Sequence, residues 1–257
     1  MKLAAWNVNS LKVRLPHLLR WLASEDAPDV VCLQETKLED HNFPVAALAD
    51  AGFRSVFAGQ KTYNGVAIIF RNELGEARDT LKGNPFFPDA QQRLLATTID
   101  GIRVISAYFP NGEAVESEKY FYKLAWMKAL YEYLDDELCR FPQLALCGDF
   151  NIAPEDCDVH DPERWAGGIL CSEAERQAFR GLLSLGLADS FRLFPQAEKS
   201  FSWWDYRQWS FQKNLGLRID HILLSDQLVS SAMASGIRRE LRGYERPSDH
   251  APVWVEI

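Results

Sequence analysis

Short apolar runs alternate along this chain with longer stretches whose apolar residues recur at helical spacing. Leu3 to Trp6 reads as a strand. Leu15, Leu18, Leu19 and Leu22 share one face of a helix from Leu15 to Leu22, with Pro16 suited to its first turn. Asp29 to Glu35 reads as a buried strand ending on an acid, and Val45 to Ala51 as a helix closed by Gly52. Val66 to Phe70 follows Gly65 as a further strand. Leu94 to Ile99 and Ile102 to Tyr108 flank Asp100-Gly101, a hairpin signal. Glu116 to Leu138 forms a long helix with interleaved aromatics. Gln143 to Cys147 is a strand leading into Gly148-Asp149-Phe150-Asn151, and Glu173 to Leu185 a helix that stops at Gly186. Leu217 to Leu224 and Pro252 to Ile257 read as closing strands, with another inside Ala232 to Leu241. The two halves look loosely alike: strands, a long helix, then a strand ending on an acid. With no low-complexity linker between them, the pattern suits two packed sheets with helices outside, as a single domain over residues 1–257.

Composition narrows the class. Apolar residues make up 47% of the chain and Phe, Trp and Tyr 12%, enough for a substantial core. The 28 Lys and Arg face 36 Asp and Glu, a formal charge of −8. That balance argues against coating nucleic acid through bulk charge. It is compatible with a basic rim around an acidic, metal-binding centre, where a cation offsets the acidity. Cys32, Cys139, Cys147, Cys157 and Cys171 have no C-x-x-C spacing, which speaks against a zinc site and for a reduced, intracellular chain. The N-terminus turns polar after Trp6, unlike a signal peptide, and no apolar run approaches a membrane span. A cytoplasmic protein is expected.

Acids and amides gather at predicted strand ends. Asp249-His250 precedes the last strand and pairs a carboxylate with a group that titrates near neutral pH. Glu35 can hold a hard cation such as Mg²⁺, or simply pair with Lys37. Asp149 and Asn151 are two apart and so share a face if extended. The acid can activate water while the amide donates to phosphate; the alternative is an Asx turn. Asn7 could bind phosphate or cap a helix, a task that suits Ser10 better. Tyr108 either donates to a phosphoryl oxygen or anchors a hairpin end. Asp220 is expected to orient His250, with Asp249 facing a metal or a water. His17, His41, His160 and His221 are assigned to surface or packing. Phe201 to Trp209 is the densest aromatic stretch. Beside Arg207, Lys213 and Arg218 it suits stacking plus phosphate contact, or one buried strand face that hides either Trp203 or Trp204.

Several segments occur in a diagnostic order: Trp6-Asn7-Val8-Asn9-Ser10, Leu33-Gln34-Glu35-Thr36-Lys37, Tyr63-Asn64-Gly65-Val66, Tyr108-Phe109-Pro110-Asn111-Gly112, Gly148-Asp149-Phe150-Asn151, Phe201-Ser202-Trp203-Trp204-Asp205-Tyr206-Arg207, Leu217-Arg218-Ile219-Asp220 and Ser248-Asp249-His250. Together they resemble the exodeoxyribonuclease III and AP endonuclease family of the exonuclease–endonuclease–phosphatase superfamily, nearly end to end. The resemblance implies a DNase I-like α/β fold: a four-layer αββα sandwich of two mostly antiparallel sheets flanked by helices. It implies Mg²⁺-dependent hydrolysis of DNA phosphodiesters, with Mn²⁺ as a substitute. The activities implied are 3′→5′ exodeoxyribonuclease and 3′-end trimming on duplex DNA, and incision at abasic sites.

By matching position, the resemblance makes Glu35 the metal ligand, with Asn7 and Asp249 nearby. Tyr108, Asn151 and His250 contact the scissile phosphate, Asp220 supports His250, and Asp149 orients or activates the water. Trp203, Leu217 and Ile219 fall at a pocket for a base-less sugar, and Tyr63, Asn111 and Arg207 at DNA-contacting loops. The segment Val159 to Leu170 varies within the family. Small residues at Ala166, Gly167 and Gly168 point to an open pocket that admits an abasic site.

Two rivals remain: a phosphodiesterase of the same fold acting on a lipid or inositol phosphate, and a non-catalytic DNA-binding module. The tryptophan-rich segment and the complete set of catalytic acids favour the nuclease. A monomer is expected, since one lesion needs one site.

Overall fold

The computed structural model describes all 257 residues. In chain order come β1 (Lys2–Asn7), α1 (Leu11–Leu22), β2 (Val30–Gln34), α2 (Val45–Asp50), β3 (Phe53–Ala58) and β4 (Val66–Arg71). Next are β5 (Arg78–Lys82), β6 (Leu94–Ile99), β7 (Ile102–Tyr108), α3 (Glu118–Arg140) and β8 (Leu144–Asp149). The remainder holds α4 (Pro162–Trp165), α5 (Glu173–Ser184), β9 (Leu187–Asp189), β10 (Asp220–Ser225), α6 (Asp226–Val229), β11 (Ala234–Ile237) and β12 (Val253–Glu256).

One sheet runs β11-β12-β1-β2-β4-β3 and the other β5-β6-β7-β8-β10-β9. Each has one parallel pair, β1 with β2 and β7 with β8, and is otherwise antiparallel. Period-two alternation explains the layering. In β2, Val30 and Cys32 face the other sheet, while Val31 and Leu33 face the helical layer with Leu18 and Trp21 of α1. In β10, Ile222 and Leu224 face inward between the sheets, and Leu223 packs with Leu130, Leu134 and Phe179 of α3 and α5. Strands buried on both faces need a cover on each side, so the layers stack helix, sheet, sheet, helix. No helix is long and apolar enough to cross a membrane.

Local chemistry sets several boundaries. Ser117 caps α3 by accepting from the Tyr120 N–H (3.1 Å). Ser172 and Glu175 form a capping box on α5. Two expectations at α1 fail. The helix begins at Leu11, so Pro16 lies inside it, on the exposed side where water can take up the freed carbonyl. Ser10 occupies the cap position without a side-chain cap bond. The N–H groups of Ser10 and Leu11 instead donate to the Glu35 and Thr36 carbonyls, at 2.8 and 3.0 Å. Strands β3, β5 and β9 were not anticipated. β5 is an exposed edge without apolar alternation, and β9 is only three residues long. Phe201 to Trp209 is not a regular strand, though Trp204 is buried and Trp203 half-buried, as alternation requires.

Candidate active site

The strand ends converge because of register. In the parallel pair β7–β8, Tyr108 stands beside Asp149; in the antiparallel pair β8–β10, Asp149 stands beside Asp220. Three chemical residues thus sit side by side across one sheet. In the other sheet, Asn7 ends β1 beside Gln34, and Glu35 follows as the chain turns with φ 51°. Gly148 permits the close approach of β8 to β7, since a Cβ there would lie 1.9 Å from the Ala107 carbonyl oxygen.

Asn7 bridges the two sheets. Its Nδ2 donates to Glu35 Oε1 and to Asp149 Oδ2, both at 2.8 Å. His250 comes from the loop before β12. Its Nδ1 donates to Asp220 Oδ2 at 2.8 Å, and its Nε2 lies 3.7 Å from Asp149 Oδ2. Trp6 Nε1 donates to the His250 carbonyl (3.1 Å), and the Ser248 hydroxyl to the Asn7 carbonyl (2.7 Å). These bonds fix the loop against β1.

Two carboxylates directly opposed in a sheet repel, and both are buried. Burial pushes Asp149 up to about 7; His250 pulls it back and Asp220 adds to the rise. Burial would lower the His250 imidazole, but the charges of Asp220 and Asp149 and the Asp220 hydrogen bond push it up to about 10. The imidazole is therefore cationic near neutrality, with Nε2 as its free donor. Burial works to raise Glu35 too, yet the Lys37 ammonium and Asn7 hold it below the usual carboxylate range. Burial and the charges of Glu35 and Asp149 raise Tyr108 well above the ordinary phenol value, so it stays a hydroxyl donor.

The expected metal residues divide. Asp149, Asp220 and His250 offer atoms within 4.8 Å of one another, a grouping able to hold a metal; Glu35 and Asp249 do not join it. Lys37 stands between these two, with Nζ 2.8 Å from Glu35 Oε2 and 2.6 Å from Asn9 Oδ1. Asn9 in turn donates to Asp249 Oδ1 (2.9 Å), and Trp203 Nε1 to Asp249 Oδ2 (3.1 Å). The donor set still fits a hard divalent cation. It is rich in oxygen: Asn7 joins the Glu35 and Asp149 carboxylates, and Asn9 holds that of Asp249.

Asn151 leaves the strand at φ 51° but still faces Asp149. Its N–H donates to Asp149 Oδ1 (2.9 Å), and its Oδ1 accepts from Asn111 Nδ2 (3.0 Å). Asn111, Tyr108, Tyr63 and Arg207 line a groove of about 1520 Å³, where Tyr63 is 68% exposed. Leu217 and Ile219 are buried in an apolar cluster with Val159, Leu170 and Cys171; Trp203, Trp165 and Ile169 pack against it and stay partly exposed. A Cβ on Gly167 would meet nothing within 4 Å, and one on Gly168 only the Trp165 backbone.

Arg218 is not a phosphate contact. It is fully buried, with Nε 2.6 Å from Asp158 Oδ1 and Nη1 2.8 Å from Asp189 Oδ2. Its neighbour His221 is a core residue against Phe150 and Phe179. Sequence reasoning missed Ser202, whose hydroxyl donates to Asp220 Oδ2 (2.6 Å), and the linker Asn9. It also missed Lys123 and Glu175. Lys123 sits on the same helix stripe as Tyr120, Met127 and Leu130, and a charge within an apolar stripe was the available signal.

A model of the endonuclease/exonuclease/phosphatase family matches residues 4–250. Exodeoxyribonuclease III of Haemophilus influenzae is 38% identical over 270 aligned positions, covering 100% of this chain and 100% of that protein. The solved structure of NExo, a 3′ phosphatase from Neisseria bound to a product DNA hairpin, matches with a TM-score of 0.97 and 48% identity. It covers 100% of this chain and 99% of that one. An AP endonuclease from Archaeoglobus fulgidus matches with a TM-score of 0.94 and 38% identity, at the same coverage.

Proposed function

The chain belongs to the endonuclease/exonuclease/phosphatase family, as an exonuclease III-type DNA repair nuclease, and we propose that it hydrolyses duplex DNA both at 3′ ends and at internal abasic sites. One observation carries this reading. Asp149, Asp220 and His250 meet beside a groove that Tyr108, Asn111 and Arg207 line.

In-line attack on a phosphodiester needs an activated water, stabilised equatorial charge and a helped leaving oxygen. Asp149 orients the water and takes its proton, a task suited to a carboxylate raised to about 7. His250 Nε2, the Tyr108 hydroxyl and the Asn151 amide donate to the phosphate oxygens. Asp220 holds the His250 tautomer and charge through Nδ1. Glu35, bonded to Asn7 and linked through Lys37 and Asn9 to Asp249, would hold Mg²⁺ or Mn²⁺, and the cation would supply charge neutralisation at the phosphate and at the leaving oxygen.

Incision at abasic sites is supported by the likeness to the AP endonuclease from Archaeoglobus fulgidus. The 3′-end activity is supported by the likeness to NExo. Tyr63 and Arg207 would hold the flanking duplex. The decisive assay offers an internal abasic-site duplex and a recessed 3′ end. Both are expected to be cleaved with Mg²⁺, and neither with a chelator or by Asp149→Ala. Robust 3′ trimming without internal incision would retire the abasic-site part; chelator-resistant cleavage would retire the mechanism.

A further inference from the structure

Lys123 of α3 is wholly shut off from solvent (0% exposed), as is its partner Glu175 of α5. An ammonium has three donors. Here they reach Glu175 Oε1, the Asn151 carbonyl at 2.7 Å and the Asn111 carbonyl at 3.3 Å. Asn111 and Asn151 follow different strands, and their side chains already bond each other towards the groove. Their backbones are therefore gripped from behind by one cation. Asn tolerates the left-handed backbone found at Asn151, so the cation there fixes where the turn sits rather than its conformation.

Glu175 extends the linkage. Its Oε1 accepts from the Leu170 N–H (3.2 Å), and its Oε2 from the N–H and hydroxyl of Ser172 (3.0 and 2.7 Å). Leu170 belongs to the apolar cluster of Leu217 and Ile219. A buried ion pair is a poor way to add stability, since apolar replacements often do as well. It is an effective way to fix position.

We propose that Lys123 and Glu175 form a positioning clamp that sets the Asn151 amide against the scissile phosphate, holds Asn111 at the groove wall, and ties both to the pocket segment ending at Leu170. The proposal rests on the function proposed above. The clamp acts through other residues and touches no substrate, so its loss should lower kcat and leave KM nearly intact.

Steady-state cleavage of the internal abasic-site duplex and of a recessed 3′ end tests it. Lys123→Met leaves Glu175 unpaired and risks unfolding, so the informative protein is the Lys123→Met, Glu175→Gln double variant. It should fold, by circular dichroism and urea melt, with kcat lowered about 10- to 100-fold and KM within about threefold. The ratio of internal to 3′-end cleavage should also shift. A folded double variant with wild-type kcat on both substrates would overturn the clamp alone. No cleavage by the wild-type chain would overturn the function and the clamp with it.

Discussion

Two clusters of buried charge flank the start of β10, and they are built on opposite principles. Asp220 points between the sheets, to His250 and Asp149, while His221 points to the helical layer, where Arg218 meets Asp158 and Asp189. The second cluster is satisfied, because Arg192 joins Arg218 to set two guanidinium charges against Asp158 and Asp189. Arg218 grips Asp158 through Nε and Nη2, and its Nη1 donates to His221 Nδ1, while His221 Nε2 donates to the Ile152 carbonyl. Against the penalty of burial, Arg218 holds Asp189 below the usual carboxylate range. The first cluster is unsettled, with opposed carboxylates and an acid raised to about 7. Equal burial thus marks scaffold in one place and chemistry in the other. The difference lies in whether charge is compensated before a ligand arrives.

The sharpest test of this contrast lies at the mouth. Asp220→Ala and His250→Ala should each reduce cleavage about 10²- to 10⁴-fold, and to a similar degree. DNA binding by the folded protein should be largely retained, and the loss of kcat should far exceed any loss of folded protein in urea melts. Near-normal cleavage by Asp220→Ala would break the pairing. Arg218→Met should do the reverse, costing about 3–5 kcal/mol of stability because it strands Asp189 and leaves Asp158 to Arg192 alone. Any activity lost should track the unfolded fraction; a kcat loss in fully folded protein would place Arg218 in the site.

The smallest effect is a pH dependence of stability. Burial, then Arg218, lowers the His221 imidazole to about 4 from 6.5. Between those values the unfolded chain binds a proton that the folded chain does not. Stability contributed here is therefore intact above 6.5 and falls as acid is added, by about 3 kcal/mol across the window. Asp149, raised to about 7, contributes in the opposite sense over the same range, so the measure is a difference: from pH 7 to pH 4, urea melts should show the wild type losing more stability, or gaining less, than His221→Asn. An equal change in both proteins would mean that His221 protonates freely in the folded state.

Much of the fold was legible because its signals are local. The hairpin at Asp100-Gly101 joins β6 and β7 at the expected residues, while β2 stops at Gln34, one residue short of the expected Glu35, and β8 runs on to Asp149, two residues past the expected Cys147. Edge strand β5 was not, because an exposed strand has no need of apolar alternation. In the site, motif residues stood out, but their partners did not. Ser202 and Glu175 look ordinary until Asp220 and Lys123 are placed against them. The two Asp-His steps were legible in one respect: the expected crossed pair forms, Asp220 of one step with His250 of the other.

By itself the sequence determined which segments become strands and helices, which faces are apolar, and which strand ends carry acids and amides. Those follow from side-chain periodicity and turn chemistry, which act over a few residues. Only the tertiary structure decided that Tyr108, Asp149 and Asp220 stand abreast, that Asn7 bridges the sheets, and that Arg218 serves the scaffold. Register between distant strands sets those neighbours, and burial then decides which charges are compensated and which are left to do chemistry.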